Sequence, residues 1–255
     1  MVFLLLFCAF EFPGYSGRAS AMLAGAAVSD NQHSFFLNPA LGVDETLSCV
    51  GITCSRPFGL PGLVWGRACG SWDLGCLTAG LGLSSVALGR YGEHDVAVVA
   101  GGEPIANTAV GMGLHALVVS SGSEYGDFVP SFDAGVCWRT GRIRVGAAGI
   151  RLNSPRWREG TEMPLRAVVA GSWRPVDDLL LALDLSRERD NEDAAFGAEF
   201  RPIPPIALRL GIGVAPLRYA AGLEAMVGPL GLEYAYQFHS KLKGTHVLGV
   251  RAAWH

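Results

Sequence analysis

Long apolar runs are missing from this sequence, although half of its 255 residues are hydrophobic. No stretch approaches the roughly 18 to 20 consecutive apolar residues that a membrane-spanning helix needs. Charged residues are also scarce, since they make up 17% of the chain, against about 25% in ordinary soluble domains. The hydrophobicity is spread over many short segments, which favours strands over membrane-spanning helices.

Lysine is nearly absent, because the chain contains only Lys241 and Lys243. A soluble surface of this size would normally carry many more. The formal net charge of −3 gives no sign of the basic patch that a nucleic-acid partner would require. We therefore expect no nucleic-acid partner. We also expect an outer surface unlike that of a water-soluble protein.

Enzyme signatures are missing as well, since the chain has no Gly-x-Ser-x-Gly, no His-Glu-x-x-His and no phosphate loop. Four histidines, at positions 94, 115, 239 and 246, have no evident serine partner, so we interpret them as structural. The six cysteines include no CxxC pair, which argues against a zinc site. Cys69 and Cys76 flank a predicted turn and could pair across it; the alternative is that they are half-buried apolar residues. We expect no enzyme, metal or cofactor.

What the sequence does contain is a long train of segments in which every second residue is apolar. Residues 206–214, for example, place Ile206, Leu208 and Leu210 on one face and Ala207 and Arg209 on the other. Period-two alternation is typical of β-strands, because successive side chains point to opposite faces. It predicts about fourteen strands, at 45–55, 61–71, 75–84, 92–102, 106–119, 128–139, 142–152, 163–174, 178–187, 193–201, 205–214, 217–227, 229–239 and 244–254.

The two faces of these strands favour a closed membrane barrel over a soluble sandwich. The apolar face ends in aromatic residues such as Tyr219, Phe238 and Trp254, as in the aromatic girdles of outer-membrane barrels. The other face is small or charged, whereas the wet face of a sandwich favours Lys, Thr and Ser. We therefore predict an all-β fold, a transmembrane antiparallel β-barrel with an even number of strands and turns that alternate in length.

Charged residues on the small face should line the lumen of this barrel. Opposite charges on neighbouring strands predict the pairs Glu199–Arg209, Arg209–Glu224 and Glu233–Arg251. Such pairs would stabilise the wall and dock a plug; direct contact with a substrate is the alternative reading. The predicted lumen-lining residues are Asp133, Arg166, Asp184, Glu199, Arg201, Arg209, Glu224, Glu233 and Arg251.

The N-terminal region does not alternate. Residues 1–10 are the longest apolar run and resemble the core of a secretory signal peptide, although no basic residue precedes them and no clear small-x-small site follows. A true start upstream of Met1 would explain the missing basic residues, and a buried N-terminal strand is the alternative. We assign residues 1–13 to a signal-peptide remnant or apolar N-terminal segment.

Residues 14–42 resemble the start of FadL-like outer-membrane barrels, in particular the PorV/PorQ branch of type IX secretion. The residues that match are Gly17, Arg18, Ala19, Met22, Gly25, Ala26, Asp30, Asn38, Pro39, Ala40 and Leu41. The usual glycine after Ala40 is displaced to Gly42. The stretch 232–236 and the pair Thr245-His246 match the C-terminal end of the same group.

This resemblance implies a fourteen-stranded barrel (45–255) whose N-terminal segment (14–44) enters the lumen as a plug. The plug motif would be Arg18, Gly25, Asp30, Asn38, Pro39 and Ala40, with Arg18 a candidate bidentate contact to a carboxylate of the wall. Asn38 precedes proline, which biases it towards a turn. Whether it only starts that turn or also acts in gating stays open.

The resemblance also implies a location in the bacterial outer membrane. The function that we expect first is a passive transport channel for small hydrophobic compounds. The alternatives are an accessory or attachment component of a type IX-like secretion system, whose proteins would then be partners, and a structural barrel with a sealed lumen. The short predicted loops weaken the secretion reading, since they offer a partner little to hold. Membrane lipid is an expected partner in every case.

Overall fold

The computed structural model describes residues 16–28, 34–44, 48–122, 125–240 and 242–254. In these residues, fourteen antiparallel strands pair in chain order, and β14 pairs with β1 to close a barrel. The strands are β1 (Ser48–Arg56), β2 (Leu63–Asp73), β3 (Thr78–Leu88), β4 (Tyr91–Ile105), β5 (Thr108–Ser121), β6 (Tyr125–Thr140), β7 (Ile143–Ile150), β8 (Arg166–Val176), β9 (Leu179–Glu188), β10 (Asn191–Ile203), β11 (Ile206–Gly213), β12 (Arg218–Val227), β13 (Leu230–His239) and β14 (Thr245–Trp254).

The short helices all lie outside this ladder. One α-helix, α1 (Gly17–Met22), and the 3₁₀ helices Ser34–Phe36 and Pro39–Asp44 precede β1, and a third 3₁₀ helix, Pro57–Gly59, connects β1 to β2. None of the helices in the described ranges is long and apolar enough to cross a membrane.

The predicted fold class is confirmed, and each of the fourteen predicted segments overlaps one strand. The least regular prediction, 61–71, corresponds to β2, in which the three consecutive residues Cys69, Gly70 and Ser71 are all buried and interrupt the alternation. The soluble sandwich is wrong, because β1 and β14 pair along nine residues and leave no free sheet edge there. The predicted segment 1–13 lies outside the described residues.

Alternation places apolar side chains outside and small or charged ones inside. In β11, Leu208 and Leu210 are 46% and 64% exposed, whereas Ala207 and Arg209 are each 2% exposed. The same pattern repeats around the barrel and leaves a continuous apolar outer face. An exposed apolar surface of this extent is unusual for a soluble monomer and typical of a wall that faces lipid.

The two ends of the barrel differ in the length of their connections. At one end the turns are mostly two residues long, as at 106–107, 141–142 and 177–178. At the other end they include 57–62 and a fifteen-residue connection, 151–165. We name these the short-turn end and the long-loop end. In bacterial barrels the short turns are periplasmic and the long loops are extracellular.

The disulfide between Cys69 and Cys76 that the sequence allowed is not formed. Cys69 is buried within β2, where it lies opposite Gly82. Cys76 lies in the turn after β2 and is exposed. The hairpin thus places one thiol within the paired region and the other beyond it.

Candidate functional site

The first candidate site is formed by residues 16–28 and 34–44, which we call the inner segment. Its helix α1 is fully buried and packs against β10 to β14. Ser16 caps this helix, because its Oγ accepts a hydrogen bond from the Ala19 N–H at 2.9 Å. Ala26 and Ala27 pack against β8, and the 3₁₀ helix Pro39–Asp44 packs against β3 to β6. The segment therefore follows the inner wall around much of the barrel.

Glycines on the inner wall make this close packing possible. A Cβ atom at Gly211 would lie 2.6 Å from the carbonyl carbon of Met22, and one at Gly111 would lie 2.2 Å from the carbonyl oxygen of Pro39. Both distances are far below van der Waals contact, so any larger side chain would displace the backbone of the inner segment. We call the following residues the inner-wall glycines: Gly111, Gly135, Gly146, Gly197, Gly211 and Gly222.

Asn38 links the two parts of the inner segment to the wall. Its side chain is fully buried, and its Nδ2 donates to the Ala26 carbonyl at 3.1 Å and to the Val136 carbonyl on β6 at 3.2 Å. Its Oδ1 accepts from the Ala40 N–H at 3.0 Å, which is the turn geometry that its position before Pro39 predicts. Every donor and acceptor contact of this amide holds a backbone group in place.

The other residues of the predicted plug motif divide into two groups. The N–H groups of Gly25 and Ala26 donate to one carboxylate oxygen of Asp184 at 2.8 and 3.0 Å, which ties the segment to β9. Pro39 and Ala40 belong to the second 3₁₀ helix, next to the inner-wall glycines. Asp30 lies outside the described residues.

Arg18 connects the inner segment to a buried group of charges on β10 to β14. Its Nη2 donates to one carboxylate oxygen of Glu199 at 3.1 Å, and its Nε lies 2.9 Å from the other without a hydrogen bond to it. The contact is therefore an ion pair with one hydrogen bond rather than the expected bidentate one. Arg201 and Arg209 also donate to Glu199, at 3.0 and 2.7 Å. We call the whole group the charge cluster; it consists of Arg18, Glu199, Arg201, Arg209, Glu224, Glu233 and Arg251.

The pairs inside the charge cluster differ in part from the predicted ones. Arg209 pairs with both Glu199 and Glu224, as predicted. Arg251, however, pairs with Glu224 at 2.6 Å, whereas the ion pair of Glu233 is with Arg209 at 3.8 Å. The register explains this difference, since Gly231 lies opposite Arg251 and the arginine side chain extends over it towards β12.

A second group of charges surrounds a small cavity nearer the long-loop end. His115 on β5 lies between two carboxylates, with Nδ1 at 3.0 Å from Asp95 and Nε2 at 3.0 Å from Asp133. Phe36 of the inner segment packs on this group, and the guanidinium of Arg67 lies 4.5 Å from its ring centre. The space measures about 30 Å³ for water-sized molecules, room for two or three waters at roughly 10–15 Å³ each.

The sequence interpretation missed most of this polar cavity. It placed Asp133 in the lumen but read His115 as a lone structural residue, and it did not single out Arg67, Asp95 or Arg151. The alternation of faces along each strand could have identified this group, because it places Asp95, His115 and Asp133 on the inner face of three consecutive strands. Of the other predicted lumen residues, Arg166 and Arg201 are half-buried.

The connection 151–165, which we call the strap, covers an incomplete part of the wall beside this cavity. Strand β7 pairs with β6 only from Ala134 onwards, so residues 125–133 have no strand partner on that side among the described residues. The strap replaces the missing strand. The Leu152 N–H donates to the Phe132 carbonyl at 2.7 Å, and Asn153 bonds to the backbone of Phe132 and Pro130.

The strap is also anchored by apolar contacts. Trp157 and Met163 are buried against Leu117 on β5 and Val129 on β6. Its first residue, Arg151, has a positive φ of 59°, so the chain leaves β7 through a sharp change of direction. The predicted strand 142–152 therefore ends two residues early, at Ile150.

Solved structures with the same fold include a barrel described as a hydrocarbon channel and one described as a toluene transporter. The chain resembles the CymD monoaromatic hydrocarbon channel (13% identity, TM-score 0.73, covering 96% of this chain and 99% of that one). It also resembles the Pseudomonas putida toluene transporter TodX (10% identity, TM-score 0.73, covering 97% of this chain and 99% of that one). A third similar structure is a Pseudomonas aeruginosa FadL homologue (12% identity, TM-score 0.66, covering 95% of this chain and 97% of that one). No protein-family model and no curated protein matches the chain.

At these identities the likeness shows a common fold, and the expected FadL-like barrel fold is confirmed. The finer resemblance to the PorV/PorQ branch is not tested by these structures and stays a prediction.

Proposed function

We propose that this protein is an outer-membrane channel through which small hydrophobic compounds diffuse passively. The observation that carries the proposal is the likeness along almost the whole chain to two barrels described as a monoaromatic hydrocarbon channel and a toluene transporter. The apolar outer face and the short turns at one end support a location in the outer membrane.

In this proposal, residues 14–44 act as a plug and residues 45–255 form the channel wall. The ion pair of Arg18 with Glu199 on β10 and the amide contacts of Asn38, one of them with β6, would hold the plug against two separate parts of the bore. The lumen-lining charges would then serve mainly to stabilise the wall and dock the plug, because most of them are already paired with one another.

The strap would be the movable part of the wall. It closes the unpaired edge of β6 with a few hydrogen bonds and the buried Trp157, rather than with a full strand ladder. A segment held by few contacts opens at a lower free-energy cost than a paired strand does. The polar cavity behind it would then connect with the outside.

Uptake of radiolabelled toluene by bacterial cells tests the proposal. The cells need an intact lipopolysaccharide leaflet, since a plain phospholipid bilayer is permeable to toluene. Cells that express the protein should take up toluene several-fold faster than cells without it, and a charged solute of similar size should show no gain. Equal toluene uptake with and without the protein would overturn the channel and favour a sealed structural barrel.

Substitution of Trp157, the residue that packs the strap against β5 and β6, tests the role of the strap directly. Trp157→Ala should raise toluene uptake further, because it removes the main apolar contact between the strap and β5 and β6. Thr161→Ala, in the same strap but without that contact, is the matched control and should leave uptake unchanged. If both variants behave like the native chain, the strap is not the movable part.

A further inference from the structure

The outer surface at the long-loop end carries two cations and a histidine beside a group of aromatic rings. Arg56 ends β1, Lys243 lies in the connection from β13 to β14, and His246 is the second residue of β14; all three side chains are exposed. We call these three residues the basic corner. Tyr234 and Tyr236 on β13 lie beside the basic corner, on the same outer face of the barrel.

Strand pairing holds the basic corner together. Arg56 lies directly opposite His246 across the β1–β14 ladder, and Tyr236 lies opposite His246 on the other side. The Tyr236 and His246 rings are 4.9 Å apart, and the Tyr234 hydroxyl is 2.8 Å from the Nδ1 of His246. The Tyr236 ring also lies against Gly244, so its hydroxyl points towards the loop.

The charges of the basic corner are not balanced by carboxylates. Residues 48–72 contain no acidic residue, and residues 203–255 contain only Glu224 and Glu233, both buried on the inner wall. Within the described part of the chain, neither Arg56 nor Lys243 takes part in an ion pair. Both lysines of the chain fall between β13 and β14.

Another turn at the same end of the barrel has an excess of negative rather than positive charge. The β9–β10 connection and its flanks, residues 187–193, contain two arginines but four carboxylates. Arg187 pairs there with Glu192 at 3.6 Å. The excess of positive charge is therefore local to the corner formed by β13, β14 and β1, and is not a general property of the long-loop end.

We propose that the basic corner binds the phosphate group of a lipid in the outer leaflet. Tyrosines on the outer face of a membrane barrel lie at the level of the lipid head groups. Arginine and lysine at this level attract anionic lipids, and a guanidinium binds phosphate through parallel hydrogen bonds. The proposal rests on the outer-membrane location given above, in which the long-loop end meets the outer leaflet.

Native mass spectrometry of the purified full chain in detergent tests this proposal. The probes are diphosphorylated lipid A and the same lipid after its phosphates have been removed. The barrel should retain the diphosphorylated form about 25-fold more tightly, because each of the two cations Arg56 and Lys243 should strengthen binding to an anionic head group roughly five-fold. Equal retention of the two lipids would overturn the proposal.

Paired variants separate a site from general charge attraction. The double variant Arg56→Gln and Lys243→Gln should lose most of the preference for the phosphorylated lipid. Arg187→Gln with Arg189→Gln removes the same charge at the same end and should keep the preference. An equal loss in both double variants would overturn the assignment to the basic corner.

The outcome is separable from that of the proposed channel. A barrel that prefers the phosphorylated lipid but gives no toluene uptake would keep the lipid site and remove the channel. Uptake without any lipid preference would do the reverse.

Discussion

At the scale of single residues, the inner wall depends on a few buried arginines. Three arginines surround Glu199, and Arg209 joins it to Glu224 on the opposite flank. Removing charged groups from water is costly, and only mutual pairing offsets that cost. Removing an arginine of the charge cluster should therefore destabilise the barrel mainly because it leaves buried carboxylates without a partner. The loss of the arginine's own contacts should be the smaller effect.

Arg209→Met should strongly destabilise the barrel. The side chain is 1% exposed and pairs with the three buried glutamates Glu199, Glu224 and Glu233, so its loss leaves charge without a partner and should cost about 3–5 kcal/mol. The measurement is urea unfolding of the protein in lipid vesicles, followed by tryptophan fluorescence.

Arg142→Met is the matched control for this experiment. Arg142 pairs with Asp177 at 3.0 Å in an exposed turn, and a solvent-screened pair of this kind contributes about 0–1 kcal/mol. Similar losses in the two variants would mean that the charge cluster does not stabilise the wall.

At the scale of structural elements, the inner segment and the wall are complementary in shape. The segment brings alanines and small turns, and the wall provides glycines where the two backbones meet. The requirement is local, because some strand glycines contact nothing across the bore. Gly171 on β8 is one of these, since a Cβ there would meet only a carbonyl oxygen at 3.9 Å.

Gly211→Ala should displace the inner segment. The new Cβ would lie 2.6 Å from backbone atoms of Met22, so α1 must move or the strand must bend. We expect a loss of stability of about 1–3 kcal/mol, as for other overpacked sites, and a raised ion conductance in a planar bilayer.

Gly171→Ala introduces the same methyl group where there is room for it, and its conductance should match that of the native barrel. If Gly211→Ala also conducts like the native barrel, the segment does not restrict the bore.

At the scale of the whole molecule, the barrel has an inner surface of small and ionic groups and an outer surface of large apolar ones. Closure lets neighbouring strands satisfy one another's backbone hydrogen bonds, and the strap does so in part for residues 125–133 of β6. Such pairing is the condition for a sheet to lie in lipid. The apolar area of the outer face then favours insertion of the barrel into the bilayer. The free-energy cost of a charged side chain on this face depends on how deep in the bilayer that residue lies.

Leu210→Arg should impair insertion. Leu210 points outwards near the middle of β11 and is 64% exposed. An arginine at the midplane of a membrane barrel costs about 2–4 kcal/mol. The measurement is the folded fraction recovered in vesicles as urea is diluted.

Leu242→Arg, in the connection between β13 and β14, should cost about 0–1 kcal/mol because the site lies near the interface. Equal costs at the two positions would show that the outer face is not buried in lipid.

The sequence by itself determined the strands, their number and the direction in which most side chains point. These features are local, since alternation with a period of two assigns every residue of a strand to one face without reference to any neighbour. For this reason Leu210 could be placed outside and Arg209 inside before any contact was known. The position of Arg18 beside a carboxylate was expected from the resemblance rather than from the pattern.

Only the tertiary structure decided which charges meet. Arg251 pairs with Glu224 rather than with Glu233, and His115 lies between Asp95 and Asp133. Both outcomes depend on the register between strands and on the closure of β14 onto β1. The strap over β6 is a tertiary feature as well, because it forms where β7 ends early. Alternation assigns a side chain to a face, but its partners follow from the alignment of separate strands, which no single segment encodes.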